Sequence, residues 1–225
     1  MGCDSGNDTC QSNEVPLHTV DLDAYAIDKY EVTNAEYAAC IAQGACTVPF
    51  SMEQYMPFHS PVGTADLPVE GVTWQQASIY CAWEGKRLPT EAEWEKAARG
   101  SADTRIYPWG NAAPDCSRAN FREDRNSLGC ISGMQKVGGY PAGASPYGLM
   151  DMSGNVWEWV HDWYDSDFYR TSGDTRRVGP STGVERVVRG GSWDTYALTI
   201  RVASRGHIDP NFPRPEVGFR CARSR

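Results

Sequence analysis

SPYGLMDMSGNVWEWVHDWY, residues 145–164, changes character at Asn155. Pro146, Gly148, Ser153 and Gly154 are turn formers, whereas Val156-Trp157-Glu158-Trp159-Val160 alternates with the period of two that a pleated strand requires. The pattern predicts a short strand leaving a tight loop, with large aromatic side chains to bury. From Tyr107 to Gly148, Gly, Pro, Asn and aromatic residues dominate, so the second half of the chain reads as loop-rich. Ordering such loops costs about 1–2 kcal/mol of conformational entropy per residue. Disulfides, metal ions and buried aromatics can offset that cost, and the eight Trp and eight Cys fit this reading.

The first half is more regular. Thr33, Thr73 and Thr90 each precede an apolar-periodic run and are followed three residues later by Glu36, Gln76 and Glu93. A Thr hydroxyl can cap the third helical amide while the acid or amide side chain caps back, so three helices are expected at these points. In the second, Trp74, Ala77, Ser78 and Cys81 share one face, which places Cys81 against the core. The third runs to about Arg99 and stops at Gly100.

The 225 residues suffice for one large core, and no repeat, low-complexity segment or linker marks a second domain. A single domain over 1–225 is expected, as a free chain or as one part of a longer one such as a receptor or kinase. The net charge of −8 argues against nucleic acid, which is bound by clustered Lys and Arg. No apolar stretch approaches the roughly 20 residues of a membrane span. The eight cysteines lack the paired C-x-x-C knuckles of a structural zinc site, which favours disulfides in an extracellular or periplasmic setting.

The segments IDKYEVTNAEY, PVEGVTWQQASIYCAWEGKRLPTEAEWEKAARG, YPWGN, SPYGLMDMSGNVWEWVHDWY, VVRGGSW and VGFRCAR together resemble the sulfatase-modifying-factor domain of formylglycine-generating enzymes, in the family's order, from about Asp28 to Arg223. The resemblance implies an α+β fold, the formylglycine-generating-enzyme variant of the C-type lectin fold: loop-rich, low in regular secondary structure, with structural calcium.

It also implies an activity, the oxidation of a sulfatase cysteine to formylglycine by two copper-binding cysteines shortly after Arg-Gly-Gly-Ser-aromatic. Here that motif is Arg189-Gly190-Gly191-Ser192-Trp193, and Thr195 stands where the first cysteine would fall. Tyr196-Ala197-Leu198-Thr199-Ile200 is shorter than the family's segment and has no thiol. Copper(I) needs soft sulfur ligands, so no copper and no catalytic residue are expected; Ser192 reads as a turn-capping hydroxyl. His18, His59, His161 and His207 are widely spaced and form no iron triad, and no G-x-S-x-G elbow is present.

For calcium, the resemblance carries over Asp151, Gly154, Val156 and Glu158 as ligands, a set of carboxylate and carbonyl oxygens suited to that ion. The alternative is that Glu158 faces water beside the tryptophans. A second family site is only half present, as Asn120-Phe121, because no acid stands near Gly129 where its aspartate would lie. Cys116 and Cys130 flank the same two segments, and a disulfide between them is expected to stand in for that ion. Cys81 and Cys221 match a family disulfide, which leaves Cys40 with Cys46 and Cys3 with Cys10.

Without the thiol pair, the segment after Trp193 becomes the expected binding surface, for a protein or glycan. Its residues are Asp194, Thr195, Tyr196, Thr199, His207, Ile208, Asn211, Phe212 and Glu216, set among framework residues Arg201, Arg205 and Gly218-Phe219-Arg220. A similar framework occurs in the diversified lectin-fold proteins of retroelements. Two functions are therefore expected to compete: a non-catalytic extracellular ligand-binding or scaffolding domain, and an oxidoreductase or other enzyme on the same fold.

Overall fold

The computed structural model describes residues 1–4, 9–50, 64–101, 104–123, 130–131, 133–171 and 178–225. His59 and Gly129 lie outside them. Helices α1 (Asn34–Ala42), α2 (Trp74–Trp83) and α3 (Glu91–Arg99) each begin with a complete capping box, at Thr33/Glu36, Thr73/Gln76 and Thr90/Glu93. α3 ends where Gly100 takes φ 92°, a left-handed conformation that glycine adopts without strain. The buried face of α2 is Ala77, Tyr80 and Cys81. Trp74 and Ser78 are only half-buried; the Trp74 ring packs against the edge of the core and its indole donates to the Val160 carbonyl at 2.8 Å.

Strands β1 (Tyr25–Ile27), β2 (Trp157–Trp163), β3 (Arg186–Arg189), β4 (Gly206–Ile208), β5 (Val217–Phe219) and β6 (Ala222–Ser224) form two sheets. β1 pairs with β6, and the larger sheet runs β4-β3-β2-β5, with β2 and β5 parallel and the other pairs antiparallel. A four-residue helix, α4 (Phe168–Thr171), follows β2.

The alternation in Val156–Val160 implies a strand with one wet face, but Glu158, Trp159 and Val160 are all buried. α3 packs on β2 and β3, while the Tyr37–Tyr80–Phe219 aromatic cluster and Cys81–Cys221 fill the core that holds Trp159. Covered on both faces, β2 buries its polar residues too, and each then needs a partner.

Arginine supplies most of those partners. Arg189, buried on β3, pairs with Glu95 at 2.6 Å and donates to the Val202, Ala203 and Ser204 carbonyls. Arg205 pairs with Glu91, Arg201 with Glu14, and Arg220 with Glu158. Arg201, Arg205 and Arg220 are thus framework in a specific sense: a buried guanidinium must be matched by acceptors in fixed directions, which locks the irregular C-terminal segment to the N-terminal loop, α3 and β2 respectively.

All eight cysteines are paired, Cys3–Cys10, Cys40–Cys46, Cys81–Cys221 and Cys116–Cys130, and none is free.

Candidate functional site

The loop Asp151–Glu158 is wound tightly. Asp151 and Asn155 hold φ of 57° and 65°, and Gly154 holds 82°. A Cβ on Gly154 would stand 2.2 Å from the Asn120 carbonyl oxygen, so the two loops touch only because position 154 is glycine. Asp151 Oδ2 accepts from the Gly138 amide at 2.6 Å. Asn155 acts as a bracket: its Oδ1 accepts from the Gln135 amide at 2.8 Å and its Nδ2 donates to Glu31 Oε2 at 2.8 Å.

Glu158 does not face water. It is fully buried, accepts from Arg220 Nε and Nη2 at 2.7 Å each, and accepts from the Trp94 indole at 2.9 Å. Arg220 also donates to the Met150, Asp28 and Lys29 carbonyls. Glu31, Asp151 and Glu158 are therefore three buried carboxylates in electrostatic contact with a single guanidinium. Burial pushes the Glu31 carboxyl well above the usual range, and the charges of Asp151 and Glu158 push it further. Burial raises Asp151 as well. Fully ionised, the cluster carries two more negative than positive charges. An excess of this sign is what a hard divalent cation balances with oxygen ligands, and a cation ligated by Glu158 would have to displace Arg220, which takes both of its oxygens.

Sequence reasoning missed Glu31, Asn155, Trp94 and Arg220 as parts of this cluster. Glu31 lies 124 residues from Asn155 in the chain, and only the VGFR segment ending at Arg220 and the YEVTN segment holding Glu31 could have hinted at them.

At the half-site, the Phe121 carbonyl accepts from the Cys130 amide at 2.9 Å. Asn120 Nδ2 donates to the Gly133 carbonyl at 2.9 Å, while its Oδ1 is buried without a hydrogen-bond partner. Cys116–Cys130 ties the same segments covalently.

At the position of the family's first thiol, the Thr195 hydroxyl closes a turn. It accepts from the Ser192 amide at 2.8 Å and donates to the Ser192 carbonyl at 2.9 Å, while Ser192 Oγ accepts from the Asp194 amide at 3.3 Å.

The remaining surface residues fall into two groups. Asp194, Tyr196 and Leu198 alternate outward, with Thr195 and Ala197 half-buried between them and Thr199 half-buried after them. Asp194 lies 3.3 Å from Arg122, and Ala197 packs near the stacked rings of Tyr107 and Trp109. The other group runs along and beyond β4. His207 stacks on Tyr164 at 4.1 Å between ring centres and bonds Glu185 at 2.7 Å. Ile208 pairs with Arg186, whose guanidinium is held between the Trp74 and Trp163 rings. Asn211 and Phe212 are exposed in the following turn, with Phe212 59% accessible; Glu216, half-buried, lies 3.6 Å from Arg214.

Among the described residues no helix is long and apolar enough to cross a membrane.

A family model described as the sulfatase-modifying factor enzyme 1-like domain matches residues 2–225. The serine/threonine-protein kinase pkn1 of Chlamydia caviae is 38% identical over 227 residues, which cover 95% of this chain and 35% of that protein. The chain thus spans about a third of that relative's length. The formylglycine-generating enzyme of Thermomonospora curvata is 33% identical over 270 residues, covering 99% of this chain and 89% of the enzyme. Among solved structures, PvdO from Pseudomonas aeruginosa superposes with a TM-score of 0.78 at 25% identity, covering 100% of this chain and 90% of that one. Treponema denticola variable protein 1 superposes with a TM-score of 0.75 at 26% identity, covering 100% and 91%. The fold is the formylglycine-generating-enzyme variant of the C-type lectin fold, and the chain belongs to the sulfatase-modifying factor enzyme 1-like family.

Proposed function

We propose that this chain is a non-catalytic ligand-binding domain of its family, working outside the reducing cytosol and built around one calcium ion. The observation that carries the reading is the state of sulfur: all eight cysteines are in disulfides, and the hydroxyl of Thr195 is spent on a turn. No thiolate is left to bind copper(I), the soft-metal chemistry on which formylglycine formation in the family depends. Four disulfides also suit an oxidising compartment.

Asp151, Gly154, Val156 and Glu158 are the residues that would hold calcium, with Glu31 adding to the negative charge around them. Bound there, the ion would neutralise the acidic cluster and fix the loop that leads into β2. The half-site is proposed to hold no ion, its two segments being joined by Cys116–Cys130 and by the Phe121–Cys130 hydrogen bond.

The binding surface has two parts: Asp194, Tyr196 and Thr199, with Thr195 bracing their turn, and His207, Ile208, Asn211, Phe212 and Glu216 along and beyond β4. Aromatic side chains offer large contact area at small entropic cost, which suits a protein or glycan ligand. The likeness to Treponema denticola variable protein 1 supports a diversified binding face; a near-identical template repeat beside a reverse transcriptase in the genome would test that refinement.

The deciding experiment incubates the protein with a sulfatase-motif peptide, copper and oxygen and examines the peptide by mass spectrometry. An unchanged cysteine is expected. A formylglycine aldehyde would overturn the reading in favour of the oxidoreductase that the Thermomonospora curvata relative is named for.

A further inference from the structure

Of the eight cysteines only Cys116 is exposed; Cys10 and Cys130 are half-buried, and Cys3, Cys40, Cys46, Cys81 and Cys221 are buried. A disulfide opens when a thiolate attacks one of its sulfurs, and access decides which sulfur is reached. The Cys116 end of Cys116–Cys130 is therefore the point at which an outside thiol meets this domain. Cys130 packs against the small core of Tyr107, Ala119, Phe121 and Ile200, which shields its sulfur.

Charge beside Cys116 chooses the thiol. Glu123 Oε1 stands 3.6 Å from Cys116 Sγ. Among the described residues the neighbouring acid, Asp115, is matched by Arg118 at 2.8 Å, and Arg122 is drawn off to Asp194 at 3.3 Å. An exposed carboxylate at the point of attack repels a negatively charged reagent and draws a positively charged one.

Opening this bridge reaches the proposed binding surface through Asn120, Phe121 and Arg122. The Asn120 carbonyl accepts from the Asn155 amide at 2.9 Å, the Phe121 carbonyl accepts from the Cys130 amide at 2.9 Å, and the Arg122 amide donates to the Thr195 carbonyl at 2.8 Å. Arg122 also pairs with Tyr196 in an isolated parallel bridge. One short rib thus holds both the Cys130 segment and residues 194–196.

We propose that Cys116 is a thiol-exchange site for small aminothiols, and that its modification loosens the Asp194–Tyr196 part of the binding surface. The thiolate of the aminothiol bonds to Cys116 Sγ, the Cys116–Cys130 bond breaks, and Cys130 leaves as a thiolate that takes a proton from water. The products are a mixed disulfide on Cys116 and a free thiol on Cys130, with no net oxidation or reduction. With the covalent tie gone, the rib keeps only hydrogen bonds to the segment around Cys130, and local opening becomes easier. The consequence for a ligand rests on the binding role proposed above; the exchange itself does not.

The test treats the native 225-residue protein with cysteamine, which carries an ammonium group, or with mercaptoethanesulfonate, which carries a sulfonate. Free thiols are then blocked with iodoacetamide and the peptides mapped by mass spectrometry. Cysteamine on Cys116 and a blocked Cys130 are expected, with the other three bridges intact. At equal thiolate concentration cysteamine should react about threefold faster or more, and Glu123→Gln should narrow the difference. Backbone hydrogen exchange at the Cys130 and Arg122 amides should rise about tenfold in the modified protein, and likewise in C116S/C130S, while α2 stays protected. An adduct on Cys130, an earlier reaction at any other bridge, or equal rates for the two thiols would overturn the exchange site. Modification that leaves exchange at the Arg122 amide unchanged would overturn its link to the surface. Neither readout uses a ligand, so a failure of the binding role would leave both results standing.

Discussion

Glu14 and Arg201, 187 residues apart in the chain, meet in a two-point ion pair of 2.7 and 2.8 Å with almost no exposure on either side. The contact clasps the N-terminal disulfide loop to the segment between the two parts of the proposed binding surface. Removing one partner leaves the other charge buried and unmatched, which costs about 3–5 kcal/mol, whereas replacing both with apolar residues is often close to neutral. Arg201→Met is expected to lose that much in urea unfolding, and Glu14→Leu combined with Arg201→Met to recover most of it. Additive losses would show that the pair is not coupled.

Asp162 should make stability fall as the pH rises. Burial raises its carboxyl to about 7, with the charge of Glu91 adding to the effect. The folded state therefore holds a proton that the unfolded chain releases near pH 4. The resulting stability is full below about pH 4, declines through the interval and is gone above about pH 7. Asp162→Asn keeps an oxygen facing the Glu91 amide, which Asp162 meets at 2.7 Å, but cannot ionise. Relative to the parent, the variant is expected to gain stability between pH 4 and 7 and to hold the gain above it, by a few kcal/mol at about 1.4 per pKa unit. A flat difference across that range would refute the assignment.

One calcium ion per chain is expected in native mass spectrometry, and chelation should lower the melting temperature. At a hundredfold excess over Kd, a single ion binding only the folded state contributes about 2.7 kcal/mol. Two ions would contradict the replacement of the half-site by a disulfide, and none would remove the proposed metal.

Gly154→Ala is predicted to cost several kcal/mol. The new Cβ meets the Asn120 carbonyl oxygen at 2.2 Å, and φ 82° is strained for any L-residue. Melting temperatures of this variant and of Gly148→Ala compare the two effects. Gly148 has φ 78° but nothing within 4 Å, so it isolates the conformational part and should lose less.

Capping boxes at Thr33, Thr73 and Thr90 could be read directly, because each is a local contract between residues three apart. Val156–Val160 is legible as a strand, but neither its continuation to Trp163 nor its burial on both faces is, since the burial depends on what α3 and β5 bring to it. β3, with its two arginines in Arg186-Val-Val-Arg189, carries no alternation that would announce a core strand. Its burial follows from Glu95 and three carbonyls that become neighbours only on folding. The same limit hid Glu31 from the acidic cluster. Asp151 and Glu158 lie in one motif, but the third carboxylate arrives from the loop before α1, where sequence shows only an acid beside a helix cap.

Breaking the Cys81–Cys221 bridge should cost more than breaking Cys40–Cys46. Their sequence separations are 140 and 6, which in the chain-entropy model correspond to about 5 and about 2 kcal/mol. Urea unfolding of the paired alanine variants measures both, and equal losses would count against that model for this fold.

The same long bridge sets an order on biosynthesis. As the chain is made, Cys40 meets its mate after six residues and Cys116 after fourteen, but Cys81 must wait for the 140th residue beyond it. Until then its thiol is exposed to shuffling with every earlier cysteine. The Cys81–Cys221 bridge can therefore close only after translation has passed Cys221, which leaves the Cys81 sulfur waiting longer than any other in the domain.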